Sequence, residues 1–226
     1  EPPAVIVTFL DGVSVRRPDA RHCGMVGEAL GRMHEAGAGF SIRRANALSL
    51  AGWQHLFRAA ENRADEVLPG LAVTLAEELA HLQGVWPKGL PEGVIHADLF
   101  PDNVFFLAGK LSGLIDFYFA CDDFLAYDLA ICLCAWCFEA DTSFNITKGM
   151  ALINGYERVR ALGEDEIAAL PTLARGAALR FLLTRLVDWL HRQEGALVKP
   201  KDPLEYLKKL RFLQQIDGAR DLGLLR

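Results

Sequence analysis

The sequence lacks several things, and each absence excludes a class of protein. Uncharged apolar runs such as Leu129 to Phe138 stop after about ten residues, roughly half of what a bilayer-crossing helix needs. No membrane span is expected. Basic residues are not in surplus: 24 Lys and Arg stand against 29 Asp and Glu, a formal net charge of −5, and they are scattered. A nucleic-acid surface would need a basic face, so none is expected. Cysteine is scarce and odd in number, with Cys132, Cys134 and Cys137 crowded into one segment and Cys23 and Cys121 apart. That is no disulfide framework, and Cys134-x-x-Cys137 has no second pair to complete a zinc site. The thiols read as small buried hydrophobes. The start carries no basic segment followed by an apolar one, so no secretory signal is expected and the default compartment is cytoplasmic. Finally, there is no glycine-rich phosphate loop. Gly24, Gly27 and Gly31 fall inside a helical pattern, and no strand Lys pairs with a helix Glu in the manner of a kinase N-lobe.

What is present suffices for a substantial core: 226 residues, 51% of them hydrophobic. After Pro2 and Pro3, Ala4 to Leu10 reads as an apolar strand ending in a turn at Asp11 and Gly12. Helical spacing then runs from Pro18 to a stop at Gly37, with His34 near its end as a packing or capping residue. A second helix begins after Ser49 and continues to about Arg63, and a third spans Leu71 to Val85 with Leu71, Leu75, Leu79 and Leu82 on one face. Pro87 to Gly93 is a loop. Later helices are expected at Leu125 to Phe138, capped by Asp122 or Asp123, at Ile146 to Arg158, Glu164 to Leu170, Pro171 to His191 and Leu204 to Ile216. The fold class is therefore α+β, mostly helical, with one small β-hairpin.

That hairpin carries the chemistry. Val94-Ile95, Val104 to Leu107 and Leu111 to Ile115 read as short strands, with Gly109-Lys110 as the turn between the last two. Asp98 follows the first strand, Asn103 closes its loop, and Asp116 follows the third strand, so that Asn103 and Asp116 should be spatial neighbours. A carboxylate and an amide oxygen suit a hard divalent cation, and a further carboxylate can take the proton of an attacking hydroxyl, which is what phosphoryl transfer from a nucleotide requires. Asp98 is thus the candidate base, and Asn103 and Asp116 are the candidate metal ligands. The bland alternative is that His96, Asp98 and Asn103 only cap a tight turn. A metal hydrolase built on His96, Asp98 and Asp116 is weaker, because no second His stands at ligand spacing. Asp128 is the one charge in an apolar helix, and a buried carboxylate must find donors, here the backbone of a loop.

The spacing His96-x-Asp98-x-x-x-x-Asn103, then a hairpin and Asp116-Phe117, resembles the C-lobe half of the protein-kinase signature, with Ala97 where protein kinases usually carry Arg. In that departure it is similar to the aminoglycoside phosphotransferase and choline kinase group. The runs V-I-H-A-D-L-F-P-D-N-V-F-F, G-L-I-D-F-Y-F-A-C, Y-D-L-A-I-C-L, L-A-R-G-A-A-L-R-F-L-L-T-R-L and P-K-D-P-L-E-Y-L-K-K-L-R-F look like the bacterial homoserine kinases of that fold, over nearly the whole chain. The resemblance implies ATP and Mg²⁺ as cofactors and L-homoserine as the small-molecule acceptor, on the way to threonine. It also implies that Asp128 and His96 support the catalytic loop and that backbone groups near Thr8 and Leu10 meet the adenine edge. Residues 1–12 would be the end of an N-lobe and its hinge strand, and 13–226 a helical C-lobe with catalytic loop and acceptor site. Without the rest of the N-lobe, the chain alone is expected to be inactive.

The acceptor would bring a hydroxyl, an ammonium and a carboxylate. Tyr118, Asp122, Arg175 and Arg180 are the candidates, by polarity beside the hairpin or within an apolar helix. Arg175, Arg180 and Arg185 stand five apart, roughly 140° of turn per step, so they cannot share one face. Two rivals share the fold: a choline or ethanolamine kinase, with a cage drawn from Tyr118, Phe119, Phe124 and Trp136, and an aminoglycoside kinase using Asp122, Asp123, Glu139 and Asp141. A third is a kinase-like module without catalysis, which tends to lose the three polar groups retained here.

Overall fold

A computed structural model describes residues 8–192 and 200–225. The strand expected over Ala4 to Leu10 falls mostly outside them. Residues 8–10 form no strand, and the nearest pairing is a single bridge from Val13 to Phe106.

The first helix, α1 (Ala20–Ala36), starts where Asp19 accepts the backbone N–H of His22 at 3.0 Å. Its glycines serve packing. A Cβ on Gly27 would sit 2.0 Å from the Leu152 carbonyl oxygen, and one on Gly155 would sit 2.1 Å from that of Gly24. Only glycine allows α1 to lie this close to α5 (Ile146–Glu157). Helix α2 (Leu50–Ala60) stops three residues short of the expected Arg63, and Ser49 precedes it without making a side-chain cap. Helix α3 (Leu71–Val85) forms over the expected span, with Leu71, Leu75, Leu79 and Leu82 buried.

The strands are β1 (Glu92–Ile95), β2 (Val104–Leu107), β3 (Lys110–Leu114) and β4 (Cys121–Phe124). β2 and β3 make the expected hairpin, from Val104 opposite Leu114 to Leu107 opposite Lys110, with an irregularity between Phe105 and Phe106. Its turn is Ala108-Gly109 rather than Gly109-Lys110, with φ of 49° and 73°. Two successive positive φ values match the right-handed strand twist that a two-residue hairpin needs.

β4 corrects the expectation that Asp122 or Asp123 caps the next helix. It pairs antiparallel with β1, Ile95 opposite Cys121 and Glu92 opposite Phe124. Both carboxylates are engaged sideways: Asp122 accepts from Arg43 Nη1 at 2.6 Å and the Arg44 N–H at 2.8 Å, and Asp123 accepts from Asn46 Nδ2 at 2.6 Å. Helix α4 (Leu125–Trp136) follows with no side-chain cap and is buried nearly all round. Cys134 and Cys137 lie in its neighbourhood as buried free thiols, and among the described residues no group of three or more His, Cys, Asp or Glu side chains could hold a metal.

Helix α6 (Glu164–Leu190) runs unbroken through Pro171, where two helices were expected. An internal proline costs about 3 kcal/mol in lost hydrogen bonding and clash. Leu170, Leu173, Leu179, Leu182, Leu183 and Leu186 are all fully buried, and at about 1.5–3 kcal/mol each their burial outweighs it. By length and composition alone α6 is long and apolar enough to cross a membrane, which the uncharged runs did not reveal, yet most of it is buried inside the fold. It is a core helix packed against α4, α2, α3 and α7 (Leu204–Leu213), the last ending three residues before Ile216.

Candidate active site

β1 delivers the chain to His96, Ala97 and Asp98. Ala97 sits in the left-handed region at φ 64°, which costs a residue with a Cβ about 1–2 kcal/mol. Three charge-assisted hydrogen bonds hold it there. Asp128, fully buried in the first turn of α4, accepts the His96 N–H at 2.7 Å and the Ala97 N–H at 2.9 Å, and the buried Arg180 guanidinium of α6 donates to the Ala97 carbonyl. Bonds of this kind contribute roughly 1.5–3 kcal/mol each, so together they exceed the strain. Trp136 Nε1 adds a bond to the Leu99 carbonyl at 2.7 Å. The loop is fixed from below.

Its histidine is fixed as well. His96 Nε2 lies 3.0 Å from the Ile115 carbonyl, which can only accept, so Nε2 carries the proton and Nδ1 accepts the Asp98 N–H at 3.3 Å. Asn103 Nδ2 donates to the Asp98 carbonyl at 2.8 Å and, more weakly, to its Oδ2 at 3.4 Å, and the Asn103 carbonyl accepts the Ile115 N–H at 3.0 Å. Asp98, Asn103 and the end of β3 are thereby one assembly. Asp116 follows Ile115 in a left-handed turn, φ 63° and ψ 59°, with its side chain exposed.

Asp98, Asn103 and Asp116 border one cavity of about 490 Å³. Burial pushes the Asp98 carboxyl above the usual carboxylate range, Asp116 adds to the rise, and the positive charges of Arg180 and Lys201 oppose it. Asp128 shows the opposite balance. Burial raises it, but the hydrogen bond and charge of His34, with His96 and its N–H, leave it below its ordinary value. His34 is buried in α1, 3.2 Å from Asp128 through Nε2 and 2.8 Å from the Tyr156 hydroxyl through Nδ1.

Of the expected acceptor residues, the structure brings only Arg180 to the cavity. Arg175 faces away on α6 and pairs with the buried Glu78 at 2.6 Å, a correction that follows from the 140° steps between these arginines. Asp122 is tied to Arg43 and Arg44 on β4. Tyr118 is exposed, with its carbonyl taken by Arg44 at 2.5 Å and its ring 5.9 Å from that guanidinium. Thr8 is exposed and Leu10 half-buried beside Gly113, and neither borders the cavity. Sequence reasoning missed Thr184, Asp188 and Lys201, which do border it. A signal existed: Arg180, Thr184 and Asp188 repeat every four residues along an otherwise apolar helix, which marks one polar stripe.

The family model described as "Phosphotransferase enzyme family" matches residues 1–162. The chain belongs to that family. This phosphotransferase is 69% identical over 222 residues to the homoserine kinase of Xanthobacter autotrophicus and 68% identical over 224 residues to that of Bradyrhizobium diazoefficiens. Those alignments take in 98% and 99% of the chain and 69% and 68% of the relatives, so the chain spans about two thirds of the length of the curated relatives it matches. Among solved structures, choline kinase from Cryptosporidium parvum is similar with a TM-score of 0.68 at 16% identity, covering 96% of this chain and 72% of that one. Ethanolamine kinase from Plasmodium vivax gives 0.66 at 14%, covering 95% and 65%. At such identities the likeness establishes the kinase-like fold, here a mostly helical α+β chain.

Proposed function

We propose that this phosphotransferase transfers the γ-phosphoryl group of ATP to the side-chain hydroxyl of L-homoserine, a step toward threonine, in the cytoplasm. The observation that carries the reading is the cavity in which Asp98, Asn103 and Asp116 converge, in a chain so similar to homoserine kinases.

Asp98 is the group that takes the proton of the attacking hydroxyl. Its backbone is pinned by Phe100 and Asn103, its carboxyl is half-buried, and its raised proton affinity suits a base. Asn103 and Asp116 fit Mg²⁺ by their donor chemistry. Both Asn103 amide hydrogens serve Asp98, which leaves Oδ1 as an oxygen ligand, and Asp116 offers an exposed carboxylate without an ion pair among the described residues. Bound there, Mg²⁺ supplies neutralisation of the nucleotide phosphates. The backbone near Thr8 and Leu10 meets the adenine edge in this reading.

A choline-type acceptor would need open aromatic faces. Phe100, Phe119 and Phe181 border the cavity, but Arg180 lies 4.5 Å over Phe181 and 5.8 Å over Phe119, and Lys201 lies 5.6 Å over Phe100. The protein's own cations cover those rings. ADP release by the intact protein, with homoserine, choline, ethanolamine and an aminoglycoside offered in parallel, tests the proposal. Homoserine should be preferred, and preference for any other acceptor would refute it.

A further inference from the structure

We propose that Asp188, with Thr184 one turn before it on α6, receives the α-ammonium of the acceptor and so selects an amino acid; this rests on the homoserine reading above. Four carboxylates border the cavity. Asp98 takes the hydroxyl proton and Asp116 serves the cation. Asp102 is largely exposed and has Lys201 at 3.8 Å. Asp188 is left over, a carboxylate with neither an ion pair nor a hydrogen bond among the described residues, on the wall of the cavity that holds the base.

Its distance from the chemistry fits. Arg180 touches the catalytic loop at the Ala97 carbonyl, and Thr184 and Asp188 lie about 6 and 12 Å further along the helix axis. A four-carbon amino acid with a hydrogen bond of about 2.8 Å at each end is of the same order in length. Thr184 Oγ1 donates to the Phe181 carbonyl at 3.3 Å, which leaves its lone pairs for an N–H of the ammonium. The acceptor's carboxylate then faces Lys201, a rim cation whose pairing with the exposed Asp102 is loose at 3.8 Å. Arg185 borders the same cavity but is committed to Glu205 at 2.7 Å and stacked on Tyr206 at 4.5 Å, so it does not compete.

The test compares wild type with Asp188→Asn in the intact protein at saturating Mg-ATP, using homoserine and 4-hydroxybutyrate, which keeps the hydroxyl and carboxylate but lacks the ammonium. The substitution should raise KM for homoserine roughly 10-fold or more, with the loss falling on KM rather than kcat. The preference for homoserine over 4-hydroxybutyrate should shrink by a similar factor, with thermal stability unchanged because the side chain is exposed and unpaired. An unchanged KM and an unchanged preference would overturn the assignment while leaving the homoserine reading standing. A wild-type enzyme that ignores homoserine would overturn both.

Discussion

Asp98 and Asp116 face the same cavity from the two sides of Asn103, yet they are held in opposite ways. Asp98 is half-buried on a loop that Asp128, Arg180, His96 and Asn103 lock through its backbone, and burial raises its proton affinity. Asp116 stands exposed on a left-handed turn, its carboxylate unpaired among the described residues. A proton acceptor needs fixed aim and a tuned charge, which a rigid, partly dry setting provides. A cation ligand needs open lone pairs, which a supporting shell would occupy. The ends of β1 and β3, in two separate two-stranded sheets, thus present two carboxylates suited to different duties, one half-buried and the other exposed.

The strongest way to break this contrast is to remove the prop from the pinned side. Asp128→Ala leaves His34 and two loop N–H groups without their acceptor, and urea unfolding should show a loss of about 3 kcal/mol or more; a variant as stable as wild type would refute the idea that Asp128 anchors the strained loop. Next comes Asp98→Asn, which should fold and bind Mg-nucleotide nearly as wild type while turnover falls roughly 10²-fold or more. Retained turnover in a steady-state assay would remove Asp98 as the base. On the open side, Asp116→Ala should weaken nucleotide binding by more than about 10-fold and raise the Mg²⁺ concentration required, with little change in stability; titrations at several Mg²⁺ concentrations decide it.

The smallest effect sharpens the same comparison through pH. Because the folded-state affinity of Asp98 for its proton is raised above the ordinary value of 3.8, the folded protein holds a proton that the unfolded chain has lost between 3.8 and that higher value. Stability from this group therefore falls as pH rises through the window and stays lower above it. Asp98→Asn should be slightly more stable than wild type at pH 7, a gain that fades as pH falls toward 3.8 in parallel melts. A gain that grows on acidification would contradict the burial argument.

Much of this was legible in the residues because it is local. Strand alternation and the spacing of Asp98, Asn103 and Asp116 bring those groups together through one hairpin, and α3 forms where its leucines repeat at helical spacing. The misreadings involve distant partners. Asp122 and Asp123 look like helix caps until residues 43–46 arrive to bind them. Arg175 and Arg180 look alike until Glu78 claims one and the Ala97 carbonyl the other.

The sequence by itself determined which polar groups the hairpin gathers, the helical character and the membership of a kinase-like family, since periodicity and short spacings act over a few residues of chain. Only the tertiary structure decided which face of α6 meets the cavity, why α6 survives Pro171, and which carboxylates remain unpaired, because burial and charge pairing depend on segments far apart along the chain.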